Sequence, residues 1–111
     1  MKIDIAREFS ETPGGRTIQE GDFSGELFRE ELLFPRYEAA IQKKEKLEIY
    51  FDGAYGYPPS FLDEAFGGLV KALKKKNIMD NIYIISNEDL TIERRIKKYI
   101  ADAEMEVFGG K

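Results

Sequence analysis

The chain has no cysteine and no histidine. The first absence excludes a disulfide scaffold. Together they remove the usual zinc ligands, the thiolate and imidazole nucleophiles, and the commonest general base near neutral pH. An enzyme made from this chain would have to work with Asp, Glu, Ser, Thr, Tyr, Lys or Arg. Long hydrophobic runs are also missing. No stretch reaches the ~18 apolar residues of a membrane span, and the opening "MKIDIAREFSE" lacks the apolar centre of a signal peptide. A soluble cytoplasmic protein with no membrane partner is expected. Positive charge is the minority sign, with 17 Lys and Arg against 21 Asp and Glu and a net charge of −4. There is no global basic field to attract nucleic acid, so such a partner is not expected.

What is present suits one domain over residues 1–111. The 42% hydrophobic content is enough for one core, and 34% charged residues is ordinary for a soluble surface. "KIDIAREF" alternates and predicts a first strand over about 2–7. Pro13-Gly14-Gly15 is a turn, and Arg16 to Ile18 could form a short second strand. A helix is expected from Ser24, a plausible N-cap, with a break or restart at Pro35. "KLEIYFDG" is the clearest strand, with Leu47, Ile49 and Phe51 on one side. A glycine, proline and tyrosine loop follows, then a helix over about 60–76, a strand over 81–86 and a helix over about 89–104. Alternating strands and helices predict an α/β fold with about four strands in a mostly parallel or mixed sheet, packed with three to four helices. So few helices leave one sheet face only partly covered.

The stretch "YPPSFLDEAFGGL", residues 57–69, carries the functional question. At about 100° per residue, Leu62, Ala65, Phe66, Leu69 and Leu73 share one sector, the core face. Asp63, Glu64, Gly67 and Lys71 fall opposite, with Gly68 flanking. Glycine inside a helix costs about 1 kcal/mol relative to alanine. Gly67 and Gly68 therefore suggest that something approaches this surface closely, either this chain's own backbone or another protein. Ser60 is expected to cap the helix, with Asp63 three residues on in a capping-box-like pattern. A hydroxyl at a helix start is also a place where phosphate is stabilised, and one beside Asp63 and Glu64 would change docking.

"LEIYFDG", a loop, Ser60 and an apolar helix together resemble a STAS domain, the fold of anti-sigma-factor antagonists. "EFSETPGGR", "GDFSGELFREELL" and "PPSFLDEAFGGLV" resemble more closely the STAS-like bacterial family DUF4325, over about half the chain. The resemblance implies a STAS-like single domain acting in bacterial signalling. STAS domains carry a serine or threonine at the start of the second main helix that a GHKL-type ATPase kinase phosphorylates. Here that position is Ser60. STAS domains have an Asp-Ser-Ser/Thr-Gly type of motif at this loop, whereas this chain has Pro58-Pro59-Ser60-Phe61. The implied partner is a GHKL-type ATPase or kinase, or another regulator. Tyr57, Pro59, Phe61, Asp63, Glu64, Gly67 and Gly68 are the candidate contact residues.

Other readings stay open. Gly14, Gly15 and Arg16 could hold an anion, although a tight turn explains them too. Neither "TPGGR" nor the closing "FGGK" is expected to be a P-loop. Asp52, Asp63 and Glu64 could hold Mg²⁺ in a small acid-dependent enzyme. Tyr50, Tyr55 and Tyr57 could stack bases of a single strand or rim a docking surface. The basic runs "KALKKK" and "ERRIKK" fit helix ends and solvated faces. The expectation is a non-catalytic regulatory module acting through protein–protein interaction, with no catalytic residues, no cofactor and no resident metal. The alternatives are the acid-dependent enzyme and the single-strand binder.

Overall fold

The computed structural model of the chain describes residues 1–109. Gly110 and Lys111, the last two residues of the "FGGK" stretch, lie outside the described residues. Strand β1 (Lys2–Asp4) leads straight into a short helix α1 (Ile5–Glu8). The expected strand over 2–7 stops early because the Asp4 side chain accepts a hydrogen bond from the Arg7 N–H and caps a helix instead. A 3₁₀ turn, Ile18–Glu20, stands where a second strand was expected. Its flanks fold back on themselves: the Gly14 N–H donates to the Phe23 carbonyl at 3.0 Å, and the Gly25 N–H to that of Gly15 at 2.9 Å.

The next helix runs without a break through α2 (Gly25–Phe28), a π-helical turn (Arg29–Leu33) and α3 (Phe34–Lys43). Ser24 caps it as expected, accepting from the Leu27 N–H at 3.1 Å. Pro35 does not break this helix. A proline has no N–H and clashes with the carbonyl four residues back. The wider turn just before it, where the Phe34 N–H reaches the Arg29 carbonyl, accommodates both defects. Lys44 ends the helix in a left-handed conformation.

Strand β2 (Leu47–Tyr50) is followed by a second interrupted helix. It comprises α4 (Pro59–Leu62), a π-helical turn (Asp63–Gly67) and α5 (Gly68–Leu73). Strand β3 (Ile82–Ile85) and the long helix α6 (Ile92–Phe108) complete the chain. The described residues thus form an α/β arrangement of three strands and four helices, counting each interrupted helix as one. The sheet has the order β1-β2-β3 and is parallel throughout, neither mixed nor four-stranded among the described residues.

The register explains the layering. Ile3, Ile49 and Ile84 are aligned across the three strands and buried, as are Leu47 and Ile82. The long helices pack on that side. An aromatic cluster of Phe28, Phe61, Phe66, Phe51 and Tyr57 fills the space beneath them. Each such buried ring contributes about 1.5–3 kcal/mol. The opposite face presents Lys2, Glu48 and Tyr83 in one row and Asp4, Tyr50 and Ile85 in the next, none of them buried. Parallel sheets are normally covered on both faces, and this one is covered on one.

Candidate functional site

The helix of residues 59–73 begins one step earlier than its sequence suggests. Pro58, in extended conformation, takes the capping position, and Pro59 occupies the first turn, where its missing N–H costs nothing. Ser60 therefore lies inside the helix, partly exposed, and no side chain makes a capping bond there. Tyr57 and Phe61 are core residues, 8% and 0% exposed. Phe61 packs on Phe9, Phe28 and Tyr57, so neither ring is available as a contact for a partner.

The glycine pair is closed by the chain itself. A Cβ on Gly67 would lie 3.4 Å from the Tyr99 carbonyl oxygen and 3.7 Å from the Ala103 Cβ, both on α6. The helix of residues 59–73 has two packing faces, one toward the sheet and one toward α6. A helical wheel shows only the first, because glycine adds nothing to an apolar stripe. Gly67 is buried against α6, so of the two approaches expected here it is this chain's own backbone that comes close, and the glycine presents no bare patch to another protein.

Gly68 has a separate cause. In a regular α-helix its N–H would bond the Glu64 carbonyl. In the π-helical turn it bonds Asp63 and Ala65 instead. The Glu64 carbonyl is freed, and the Arg29 guanidinium takes it at 2.5 Å while holding the Glu64 carboxylate at 2.8 Å. The guanidinium lies over Gly68, where a Cβ would collide with its Nη1. Gly68 is therefore a docking point for Arg29. Nothing in sequence spacing links residues 29 and 68.

Arg16 completes the cluster. Its Nη1 is 2.9 Å from Asp63 Oδ2 and 3.7 Å from Glu64 Oε1. The bond to Asp63 pushes the guanidinium pKa up. The loop of residues 12–23 is tied in this way to the same helix face that carries Ser60. The expected anion cradle at Gly14, Gly15 and Arg16 is largely used up internally. The Gly14 N–H goes to Phe23, the Arg16 N–H to Glu20 Oε1 at 2.7 Å, and the Arg16 side chain to Asp63.

A family model described as "STAS-like domain of unknown function (DUF4325)" matches residues 24–91. This chain belongs to that family. The match starts at the Ser24 cap and takes in both interrupted helices, β2 and β3. The STAS-like match therefore contains Ser60, Arg29, Asp63, Glu64 and the glycine pair, and leaves out β1 and α6. No curated protein and no solved structure matches the chain.

In this STAS-like domain the acids proposed for a metal do not meet. Asp52 lies at the far end of β2, where its carboxylate accepts from the N–H groups of Asn87 and Glu88 at 2.8 and 2.9 Å and from the Asn87 amide at 3.0 Å. Chiefly the Glu88 N–H, against some desolvation, holds its pKa below the usual aspartate range. Among the described residues no group of three acidic residues could hold a metal ion. The three tyrosines separate as well. Tyr50 stands on the open sheet face, Tyr55 is 86% exposed at a loop tip, and Tyr57 is buried with its hydroxyl on the Phe51 carbonyl. They do not form one stacking platform. Arg95, expected on a solvated helix face, instead donates to the Tyr57 carbonyl at 2.7 Å and pins the β2–α4 loop. Among the described residues no helix is long and apolar enough to cross a membrane.

Proposed function

We propose that this chain is a regulatory module that works by protein contact, and that its state is set by phosphorylation of Ser60. The observation that supports this most is the uncommitted position of that residue. Ser60 sits in the first turn of a helix, partly exposed, with the capping position taken by Pro58. Asp63 and Glu64 lie one turn on, on the same helix face, and hold Arg16 and Arg29. A phosphate on Ser60 is favoured by the helix start and competes with Asp63 for Arg16. Its charge also repels both carboxylates. Losing the Arg16–Asp63 tie releases the Arg16 side chain from this helix face while the backbone bonds of the loop remain, a change of surface charge a partner can read.

The family resemblance supports the choice of partner, an ATPase of the GHKL type. Of the contact residues expected from the sequence, Pro59 is exposed and Asp63 and Glu64 are half-buried beside Ser60. The chain itself performs no chemistry in this reading. Incubation with ATP and a GHKL-type ATPase from the same genome should add the mass of one phosphate to the chain. Ser60→Ala should add none. An unchanged intact mass in the parent chain, or an equal yield in the variant, would remove the switch.

A further inference from the structure

The two edges of the sheet are finished differently. Alternation along a strand decides which backbone groups face each way. The Glu48 N–H donates to the Met1 carbonyl at 2.9 Å, so Met1 and Ile3 turn their backbone toward β2 and Lys2 and Asp4 turn theirs outward. Side chains take two of those outward groups. The Lys2 carbonyl accepts from Arg36 at 3.0 Å, the Asp4 N–H donates to Glu8 at 2.8 Å, and Arg36 and Glu8 pair at 2.8 Å.

At the other edge the Phe51 N–H donates to the Ile85 carbonyl at 2.9 Å. Tyr83 and Ile85 therefore face β2, and Ile82 and Ile84 face outward. The Ile82 N–H turns back onto the Met79 carbonyl. Among the described residues, the N–H and carbonyl of Ile84, the carbonyl of Ile82 and the N–H of Ser86 have no partner. β3 also carries neither of two features that blunt an edge: "IYII" contains no charge and no proline.

We propose that β3 is a self-association edge, taken by β3 of a second copy running antiparallel about a twofold axis at Ile84. The choice of a second copy rests on self-complementarity. Ile84 faces Ile84 of the other copy, and the two exchange both backbone hydrogen bonds. Ile82 faces Ser86, so each Ser86 N–H meets an Ile82 carbonyl, and the Ile82 N–H already held by Met79 is not required. On the open sheet face Tyr83, 57% exposed, comes opposite Ile85. An aromatic facing a β-branched residue is a favoured cross-strand pair, and no like charges face each other within the strand. An unrelated extended peptide could use the same backbone groups, but the side-chain match is one this chain carries itself. A four-residue strand pair is far smaller than a standard interface, so the dimer is weak and concentration-dependent.

Sedimentation equilibrium without ATP or any ATPase, from about 10 μM to about 1 mM, tests this separately from the Ser60 switch. The parent chain should pass from monomer to dimer, and exchange of the Ile84 amide with solvent deuterium should slow over the same range. Tyr83→Lys and Ile85→Glu should each weaken association at least tenfold. An equimolar mixture of the two should recover it, because the introduced lysine of one copy then faces the introduced glutamate of the other. Circular dichroism and urea unfolding would establish that both variants fold, and Tyr83 is exposed enough for its replacement to be tolerated. A parent chain that stays monomeric throughout, association unchanged by Tyr83→Lys, or no recovery in the mixture would each overturn the assignment.

Discussion

The hydroxyl of Tyr57 donates to the carbonyl oxygen of Phe51 at 2.8 Å, inside the core, and fastens the loop after β2 to the strand it leaves. Burial pushes this hydroxyl's pKa up, so it stays a donor at any working pH. Tyr37 is buried as well, yet its hydroxyl has no partner. The same change to phenylalanine should therefore act with opposite sign at the two positions. Tyr57→Phe orphans a buried carbonyl and should cost about 1–3 kcal/mol. Tyr37→Phe removes an unsatisfied polar atom and should leave stability unchanged or raise it by up to about 1 kcal/mol. Paired urea unfolding curves check this, and a Tyr37→Phe loss as large as that of Tyr57→Phe would contradict it.

Gly68 and Arg29 should be energetically coupled. Gly68→Ala alone forces the guanidinium off the Glu64 carbonyl and should cost about 1–3 kcal/mol. With Arg29→Met already in place the collision is gone, and alanine's higher helix propensity should make the same change neutral or favourable. A double-mutant cycle should return a coupling of at least about 1 kcal/mol. Additive effects would show that Arg29 does not rest on that glycine.

Asp52 should contribute to acid stability with a definite sign. Its folded pKa lies below the unfolded value, chiefly through the Glu88 N–H. Its stabilisation is complete above about pH 4 and is lost as pH falls through the folded pKa. Asp52→Asn keeps an acceptor but not the charge. It should be less stable than the parent at pH 6 by about 1 kcal/mol, since the carboxylate remains in contact with solvent. The gap should close toward pH 2. Urea unfolding across that range measures the gap, and a difference independent of pH would contradict the assignment.

The features decided by near neighbours were legible in the sequence. Ser24 capped its helix, the alternation of Leu47, Ile49 and Phe51 marked a strand, and the apolar stripe from Leu62 to Leu73 faced the core. Features for which the sequence offered two competing local choices, or which depend on distant partners, were not. Asp4 reads as an alternating strand residue until Arg7 supplies an N–H for it to cap. Pro58 displaced Ser60 from the cap because an extended proline followed by another suits a helix start as well as a hydroxyl does. Gly67 and Gly68 look alike in sequence, but one admits α6 and the other admits Arg29. Steric room is a property of whatever arrives from elsewhere in the chain, and hydropathy patterns do not record it.

The seal that Arg36 and Glu8 place on β1 also limits how far the sheet can be extended. A protein with two open borders can add neighbours indefinitely, which is how fibres grow. This one has a single usable border, so lateral growth ends as soon as that border is taken.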